Sequence, residues 1–312
     1  FCSNAESSSQ CIYENRQWKG ATNEKKPNAD GTWPVTSRRI NVLKYALIGA
    51  QKTDGTWEGG VFRDKNLLPD RKIRLSWQAM WNNGKAPDAK NVDSDKMNQN
   101  SMRFLGETHR NNFISFINGL DANSGTPSHL MFKQADAYMR RDLSINSPWA
   151  SDPGSQATPY LGCRRNYHIM MTDGRWNNTS YDIGNTNRRD NATNITLPDE
   201  TIYGGTQAQQ KQTSLYRDSH TETLADWAFY SWGTPLQTAK DETNGVKGLK
   251  GSIQPSPEYD NAPQQENFGK DSKGNDAILE RYWNPKFNPA NWPHMVTYTI
   301  GFSNMAVTWP GA

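Results

Sequence analysis

Two short segments carry hydroxyl and carboxylate side chains whose spacing suits metal chemistry. Thr172–Gly174 ends the mostly apolar run Tyr167–Met171, and Ser124–Pro127 precedes an amphipathic segment. The oxygens of Asp173 and Thr126 are hard ligands of the kind that Mg²⁺ and Ca²⁺ prefer. These residues therefore predict a cation site, provided that the fold brings both segments to one place.

Each of the two residues also has a purely structural interpretation. Asp173 lies in a Thr-Asp-Gly corner, where an Asp side chain can turn its own loop. Thr126 followed by Pro127 is typical of a helix start, with Thr126 as N-cap and Pro127 at the first helical position. Taken singly, both residues favour the structural role, so the metal site depends on the elements that position them.

The elements that must position these residues form an α/β pattern. An apolar run that ends in Gly predicts a buried parallel strand over 167–172, with Asp173 at its carboxyl end, where open α/β sheets bind ligands. Strands are also predicted over 73–80 and 294–301, and helices over 38–50, 108–120, 126–141, 219–232 and 277–283. The alternation predicts a three-layer fold with a mainly parallel central sheet, helices on both faces and long loop insertions. Residues 169–171 should lie centrally in that sheet and 297–300 in a flanking strand.

Composition excludes several classes of protein. The 312 residues carry a formal charge of +3 and no dense Lys/Arg stripe, which argues against a nucleic-acid partner. The sequence contains no run of about 20 apolar residues, so no membrane span is predicted. A Cys2–Cys11 bridge would indicate an oxidising compartment, and three reduced thiols are the alternative. Cys163 can pair with one of the other two or with a cysteine of another chain.

Six segments in order along the chain carry a family resemblance. The most specific are Cys163–Asn177, which contains Thr-Asp-Gly-Arg-Trp-Asn, and His294–Gly301, which reads His-Met-Val-Thr-Tyr-Thr-Ile-Gly. The other four are 37–47, 73–80, 109–127 and 224–232. Together they resemble the von Willebrand factor A-like domain of the tip adhesins of type IV pili, the PilC/PilY family.

The resemblance implies one von Willebrand factor A-like domain over 1–312 with a metal ion-dependent adhesion site. In that family the site takes a Thr that matches Thr126, an Asp that matches Asp173, and an Asp-x-Ser-x-Ser loop after the first strand. No Asp-x-Ser-x-Ser precedes the predicted helix at 38–50. We therefore expect an internal fragment that lacks its first strand and the C-terminal β-propeller, with an incomplete site that binds Mg²⁺ or Ca²⁺ weakly.

The resemblance also implies a function without catalysis. It predicts surface adhesion and pilus assembly at the tip of a type IV pilus, outside the cell after passage through the periplasm. The implied partners are minor pilins and a ligand on a host cell or an abiotic surface.

Two other functions remain open from the residues alone. A polysaccharide-binding module would use exposed tryptophans, for which Trp33, Trp57, Trp81 and Trp149 are candidates. A metal-dependent hydrolase would need a base beside the metal, such as His129 or His168, but the sequence has no His-Glu-x-x-His spacing and no Gly-x-Ser-x-Gly elbow.

Overall fold

The computed structural model describes residues 39–52, 54–79, 100–120, 126–172, 190, 194–217, 223–238, 248–270, 274 and 276–301. Within these ranges the chain forms a mixed α/β fold. Its α-helices are α1 (Arg39–Ile48), α2 (Glu107–Gly119), α3 (Ser128–Met139), α4 (Gln207–Thr213), α5 (Leu224–Gly233) and α6 (Pro257–Asp260).

The strands of the described residues pair into two-stranded sheets, two of them parallel and four antiparallel. The parallel pairs are β5 (Tyr160–Leu161) with β9 (Leu249–Lys250), and β6 (Asn166–Thr172) with β12 (Met295–Gly301). The antiparallel pairs are β1 (Ala50–Gln51) with β2 (Trp57–Glu58), β3 (Arg74–Leu75) with β4 (Arg103–Phe104), β7 (Ile195–Thr196) with β8 (Ile202–Tyr203), and β10 (Gln265–Lys270) with β11 (Asp276–Glu280).

The β6–β12 pair is the longest parallel pair and confirms the two strands predicted from apolar runs. Its seven residue pairs run from Asn166 opposite Met295 to Thr172 opposite Gly301. One face of this pair packs against α3 and α5. The main core lies there, and its largest buried side chains are Phe132, Trp149, Met170 and Trp227.

The opposite face of the β6–β12 pair differs from the prediction. Tyr167 and Ile169 are 55% and 60% exposed, and Tyr298 and Ile300 are 54% and 40% exposed. The expectation that Ile169 is buried at the centre of a sheet is therefore wrong, because no described element covers this face. The broader three-layer arrangement stays a prediction.

The predicted helices are mostly present, with corrected ends. Helix α1 stops at Ile48 because Gly49 has a φ of 70° and the chain then turns into β1. Helix α3 begins at Ser128, with Pro127 at the N-cap position and no side-chain cap bond. Thr126 is therefore not the N-cap, contrary to the prediction. Helix α5 begins at Leu224, five residues later than predicted, since Thr223 caps it.

Three further predictions of local structure were wrong, two in the C-terminal half of the chain and one at β3. Residues 277–283 were predicted as a helix, but β11 covers most of them and pairs with β10. Strands β9 and β10 and helix α6 also lie within 233–275, which was predicted as loop. The strand predicted over 73–80 is reduced to β3, and residue 80 lies outside the described residues.

Candidate functional site

The carboxyl edge of the β6–β12 pair is the place where the predicted site residues should meet. Thr172 is the last residue of β6 and lies opposite Gly301, the last residue of β12. Asp173 follows Thr172 directly and lies outside the described residues. Its role as a metal ligand therefore stays a prediction, although the strand before it ends where the sequence indicated.

Thr126 lies in the segment that leads into α3. It is half-buried, and its carbonyl oxygen accepts a hydrogen bond of 2.9 Å from the backbone N–H of Ser128. Helix α3 follows Thr126, and the first N–H groups of the helix direct their partial positive charge towards this segment. Thr126 thus lies in the loop before α3 rather than in the first turn of the helix.

Contacts along α3 orient the helix relative to β6. The ring of Phe132 meets the ring of His168 edge-on, with centroids 4.7 Å apart. At the other end of the helix, Trp149 donates from Nε1 to the carbonyl of Met139 over 2.8 Å, and Leu161 donates from its backbone N–H to the carbonyl of Trp149.

These contacts hold the C-terminal end of α3 near β5, which lies just before the entrance to β6. The helix therefore runs opposite to the strand, as in a parallel α/β unit. We infer that its N-terminal end, with Thr126, lies towards the carboxyl edge at which β6 ends. That Thr126 shares this edge with Asp173 stays a prediction, because Asp173 lies outside the described residues.

The inner face of the strand pair carries polar atoms that the core leaves unsatisfied. His168 and Thr297 lie opposite each other, and neither His168 Nδ1 nor Thr297 Oγ1 has a hydrogen-bond partner among the described residues. Burial lowers the pKa of His168 to about 4, so the imidazole is neutral near pH 7. A neutral imidazole held against an aromatic edge is a packing residue in this setting.

Two buried carboxylates have structural roles, one on α3 and one on α5. Asp136 on α3 accepts from Ser231 Oγ at 2.7 Å and from Arg140 Nε at 2.8 Å. Asp226 on α5 accepts from the backbone N–H of Thr223 at 2.7 Å and from that of Asp190 at 3.0 Å. These bonds occupy both carboxylates, so they hold α3 and α5 in place. The sequence analysis missed them, although the Thr-x-x-Asp spacing of residues 223–226 is a capping-box signal.

Few side chains in the described part of the chain are placed to bind a metal ion together. No group of three or more His, Cys, Asp or Glu side chains suited to a metal ion occurs among the described residues. Of the two predicted ligands, Thr126 is described and Asp173 is not. Mg²⁺ normally takes six oxygen ligands, so two protein oxygens leave most positions to water or to other residues.

The histidines that a hydrolase would need are engaged in structural contacts. His109 Nε2 donates to the carbonyl of Leu75 at 2.8 Å, and His294 Nδ1 donates to that of Trp292 at 2.7 Å. His129 is buried in the first turn of α3, and His168 lies mid-strand against Phe132. Three of these four histidines are buried, and His168 packs against Phe132.

The tryptophans proposed for polysaccharide binding divide between core and surface. Trp149 is fully buried, so its predicted exposure is wrong. Trp57 is exposed, but the guanidinium of Arg63 lies 3.2 Å from its ring centroid and covers one side of the ring. Trp33 and Trp81 lie outside the described residues.

Comparison with known proteins links the chain to type IV pili. The chain is 35% identical over 234 residues to the Type IV pilus biogenesis factor PilY1 of Pseudomonas aeruginosa strain PAK, and 34% identical over 234 residues to that of strain PAO1. It is 29% identical over 252 residues to that of strain UCBPP-PA14. These matches cover 75–78% of the chain and 17–18% of each relative.

The chain thus spans less than one fifth of the length of the curated relatives it matches. No family model matches it, and no solved structure matches it. The similarity to PilY1 confirms that the chain is related to a type IV pilus biogenesis factor. Among the described residues, no helix is both long and apolar enough to cross a membrane.

Proposed function

We propose that this chain is a von Willebrand factor A-like adhesion domain of a type IV pilus protein, with a metal ion-dependent site that uses Thr126 and Asp173. The observation that carries the proposal is the seven-pair parallel register of β6 and β12. The contacts of Phe132 with His168 and of Trp149 with Met139, from which we infer that α3 runs antiparallel to β6, support it. That arrangement supports a shared carboxyl edge for the loop before α3 and the loop after β6. The similarity to PilY1 adds the pilus context.

The chemistry of this site follows from its two oxygen donors. The hydroxyl of Thr126 and the carboxylate of Asp173 would hold a Mg²⁺ or Ca²⁺ ion, with water and further residues completing the coordination. A cation held there would attract an acidic group on a partner. The protein residues bind and orient; neither of them needs to transfer a proton, so the proposed function is not enzymatic.

The pilus context gives the proposed partners and location. The domain would act at the pilus tip, on the cell surface, in contact with minor pilins and with a ligand on a host cell or an abiotic surface. PilY1 is named as a biogenesis factor, which supports a part in pilus assembly as well as adhesion. Whether the two activities share the Thr126–Asp173 edge is open to direct measurement.

Calorimetric titration with Mg²⁺ and Ca²⁺ tests the metal site. The 312-residue chain should bind either ion at most at millimolar concentration, and a version extended at its N-terminus with an Asp-x-Ser-x-Ser loop should bind more tightly. Asp173→Ala should abolish that gain and Thr126→Ala should weaken it, because each removes one oxygen ligand. The exposed Asp142 gives a matched control, and Asp142→Ala should leave binding unchanged.

Two results would contradict this function. Equal metal binding by the extended chain and its Asp173→Ala variant would remove Asp173 from the site. Surface or glycan binding that survives EDTA would favour a metal-independent polysaccharide module, with Trp57 as the first residue to substitute.

A further inference from the structure

Four arginines from separate parts of the chain meet at the β3–β4 pair. We call them the arginine cluster, and they are Arg71, Arg74, Arg103 and Arg164. The guanidinium carbons of Arg71 and Arg164 lie 4.6 Å and 5.9 Å from the centroid of the Phe104 ring. Arg74 lies opposite Phe104 in the strand pair, and Arg103 precedes it in β4. The fold thus brings together positive charges that are scattered in the sequence.

Uncharged oxygens accept the hydrogen bonds of Arg74, Arg103 and Arg164. The acceptors are four backbone carbonyls and one amide oxygen, those of Pro148, Met102, Ala150, Ser151 and Asn146. Most of these bonds fasten the loop between α3 and β5, so the arginines have a structural role there. Because the acceptors are neutral, the bonds leave the charges of the three guanidiniums without a counter-charge.

Asp152 balances only part of this charge. Its Oδ2 accepts from Arg71 Nη2 at 2.8 Å, and no other carboxylate pairs with the arginine cluster among the described residues. The nearby hydroxyl of Tyr138 adds no charge near pH 7, because burial raises its pKa. In the described part of the chain, four guanidiniums therefore stand beside one carboxylate.

Such an excess of positive charge on partly buried side chains is costly. Like charges repel each other, and burial removes water that would otherwise screen them. Both effects act on Arg74, because burial and the charge of Arg164 lower its pKa to about 9. Burial also lowers the pKa of Arg103 and that of Arg164. A bound anion would offset both costs.

We propose that the arginine cluster binds a phosphate group, supplied as a free anion or by a lipid headgroup. Guanidinium groups pair with phosphate oxygens through two parallel hydrogen bonds. A phosphate monoester carries about −1.5 to −2 charge near pH 7, so it offsets more of the excess than one carboxylate does. Nε and Nη2 of Arg74 and Nε of Arg164 have no acceptor among the described residues, so donors remain for the phosphate oxygens.

The arginine cluster lies near the C-terminal end of α3. The hydroxyl of Tyr138, at that end of the helix, accepts from the backbone N–H of Met102 at 2.8 Å, next to Arg103. Thr126 precedes the other end, and a helix of 12 residues is about 18 Å long. Phosphate binding is therefore independent of the proposed metal site, and either can fail without the other.

Calorimetric titration of the 312-residue chain with inorganic phosphate at constant ionic strength tests the proposal. Saturable binding should appear, and Arg71→Gln and Arg164→Gln should each weaken it about fivefold. The matched control is Arg165→Gln, which removes the same charge from an exposed arginine that donates to the carbonyl of Gln254. It should change the Kd less than about twofold. Absence of saturable binding, or equal weakening by the control, would overturn the proposal.

Two further ligands define the anion and its source. Acetate at the same ionic strength should bind more weakly than phosphate, because it carries less charge, and equal binding would overturn the assignment to phosphate. Vesicles of phosphatidylcholine with and without phosphatidic acid separate the two sources. Cosedimentation that requires phosphatidic acid and is reduced by Arg71→Gln indicates a lipid headgroup, whereas phosphate binding without cosedimentation indicates a free anion.

Asp152→Asn gives a readout that loss of folding cannot imitate. The substitution keeps the shape of the side chain and removes the carboxylate that competes with phosphate for Arg71. It should therefore raise the affinity for inorganic phosphate about threefold. An unchanged or lower affinity would show that phosphate does not bind beside Arg71 and would overturn the proposal.

Discussion

Ser231 donates a hydrogen bond from its hydroxyl to Oδ1 of Asp136 over 2.7 Å, and this bond joins α5 to α3 inside the core. Both residues are buried, and the second carboxylate oxygen of Asp136 accepts from Arg140 at 2.8 Å. Arg140 in turn donates to the carbonyl of Pro235 just after α5. One polar network thus joins the two helices that cover the inner face of the strand pair.

The Ser231 hydroxyl should contribute measurably to stability. Ser231→Ala leaves a buried carboxylate oxygen without its donor, which should lower the free energy of unfolding by about 1.5–3 kcal/mol. Urea unfolding followed by tryptophan fluorescence measures the change. Ser155→Ala, at an exposed turn position, is the control and should stay within about 0.5 kcal/mol of the parent. A loss no larger than that of the control would show that the α3–α5 bond is not formed in solution.

Two capping boxes allow a second, internally matched prediction. Thr223 caps α5 with Asp226, and Thr206 caps the short helix α4 with Gln209. The first is part-buried and the second is exposed. Thr223→Ala should therefore cost more than Thr206→Ala, within the range of about 0.5–2 kcal/mol that is usual for N-caps.

Asp226→Ala should exceed both substitutions, because its carboxylate also accepts from the backbone N–H of Asp190. Thermal unfolding of the three variants gives the order directly. Equal losses for Thr223→Ala and Thr206→Ala would mean that burial does not strengthen the first cap.

The strands and helices with long apolar patterns could be predicted because their own residues specify them. The run of 167–172 and the run of 294–301 appear as β6 and β12, and 108–120 appears as α2 with its ends shifted by one residue. In each case the residues of the element itself carry the pattern from which it was predicted. The end of β6 at Thr172 could be predicted for the same reason, whereas the metal site beyond it stays a prediction.

The failures arise where a partner decides the outcome. Residues 277–283 have helix-forming Ala, Leu and Glu, yet Asp276–Glu280 is a strand because it pairs with Gln265–Lys270. Ile169 belongs to an apolar run that reads as buried on both sides, and only the packing shows which side α3 covers. Thr126 has the right type for an N-cap, but the helix begins two residues later, which no local rule specifies.

Buried histidines make the stability of this domain depend on pH in a defined direction. Burial lowers the pKa of both His168 and His109 to about 4, whereas an unfolded histidine titrates near pH 6.5. Between these values the unfolded state binds more protons than the folded state, so stability rises with pH in this window. The contribution is complete above about pH 6.5 and is lost progressively as the pH falls to about 4.

His168 offers the sharper of the two tests because its Nδ1 has no partner among the described residues. His109 donates to the carbonyl of Leu75, so replacing it would remove a hydrogen bond as well as a titrating group. His168→Leu removes the titrating group and an unsatisfied polar atom together, with Phe132 still beside the new side chain. We expect the variant to be at least as stable as the parent at pH 7 and more stable than it at pH 5.

Urea unfolding at pH 7, 6, 5 and 4.5 measures this prediction. The parent should lose stability steadily over the series, and His168→Leu should lose less, by about 1.4 kcal/mol for each pH unit below 6.5 that one histidine controls. The direction of the effect matters more than its size. A histidine lowers the stability of the protein on acidification only if its folded-state pKa lies below 6.5. Parallel curves for parent and variant would show that His168 titrates alike in the folded and unfolded chain, and so that the inner face of the β6–β12 pair is open to water.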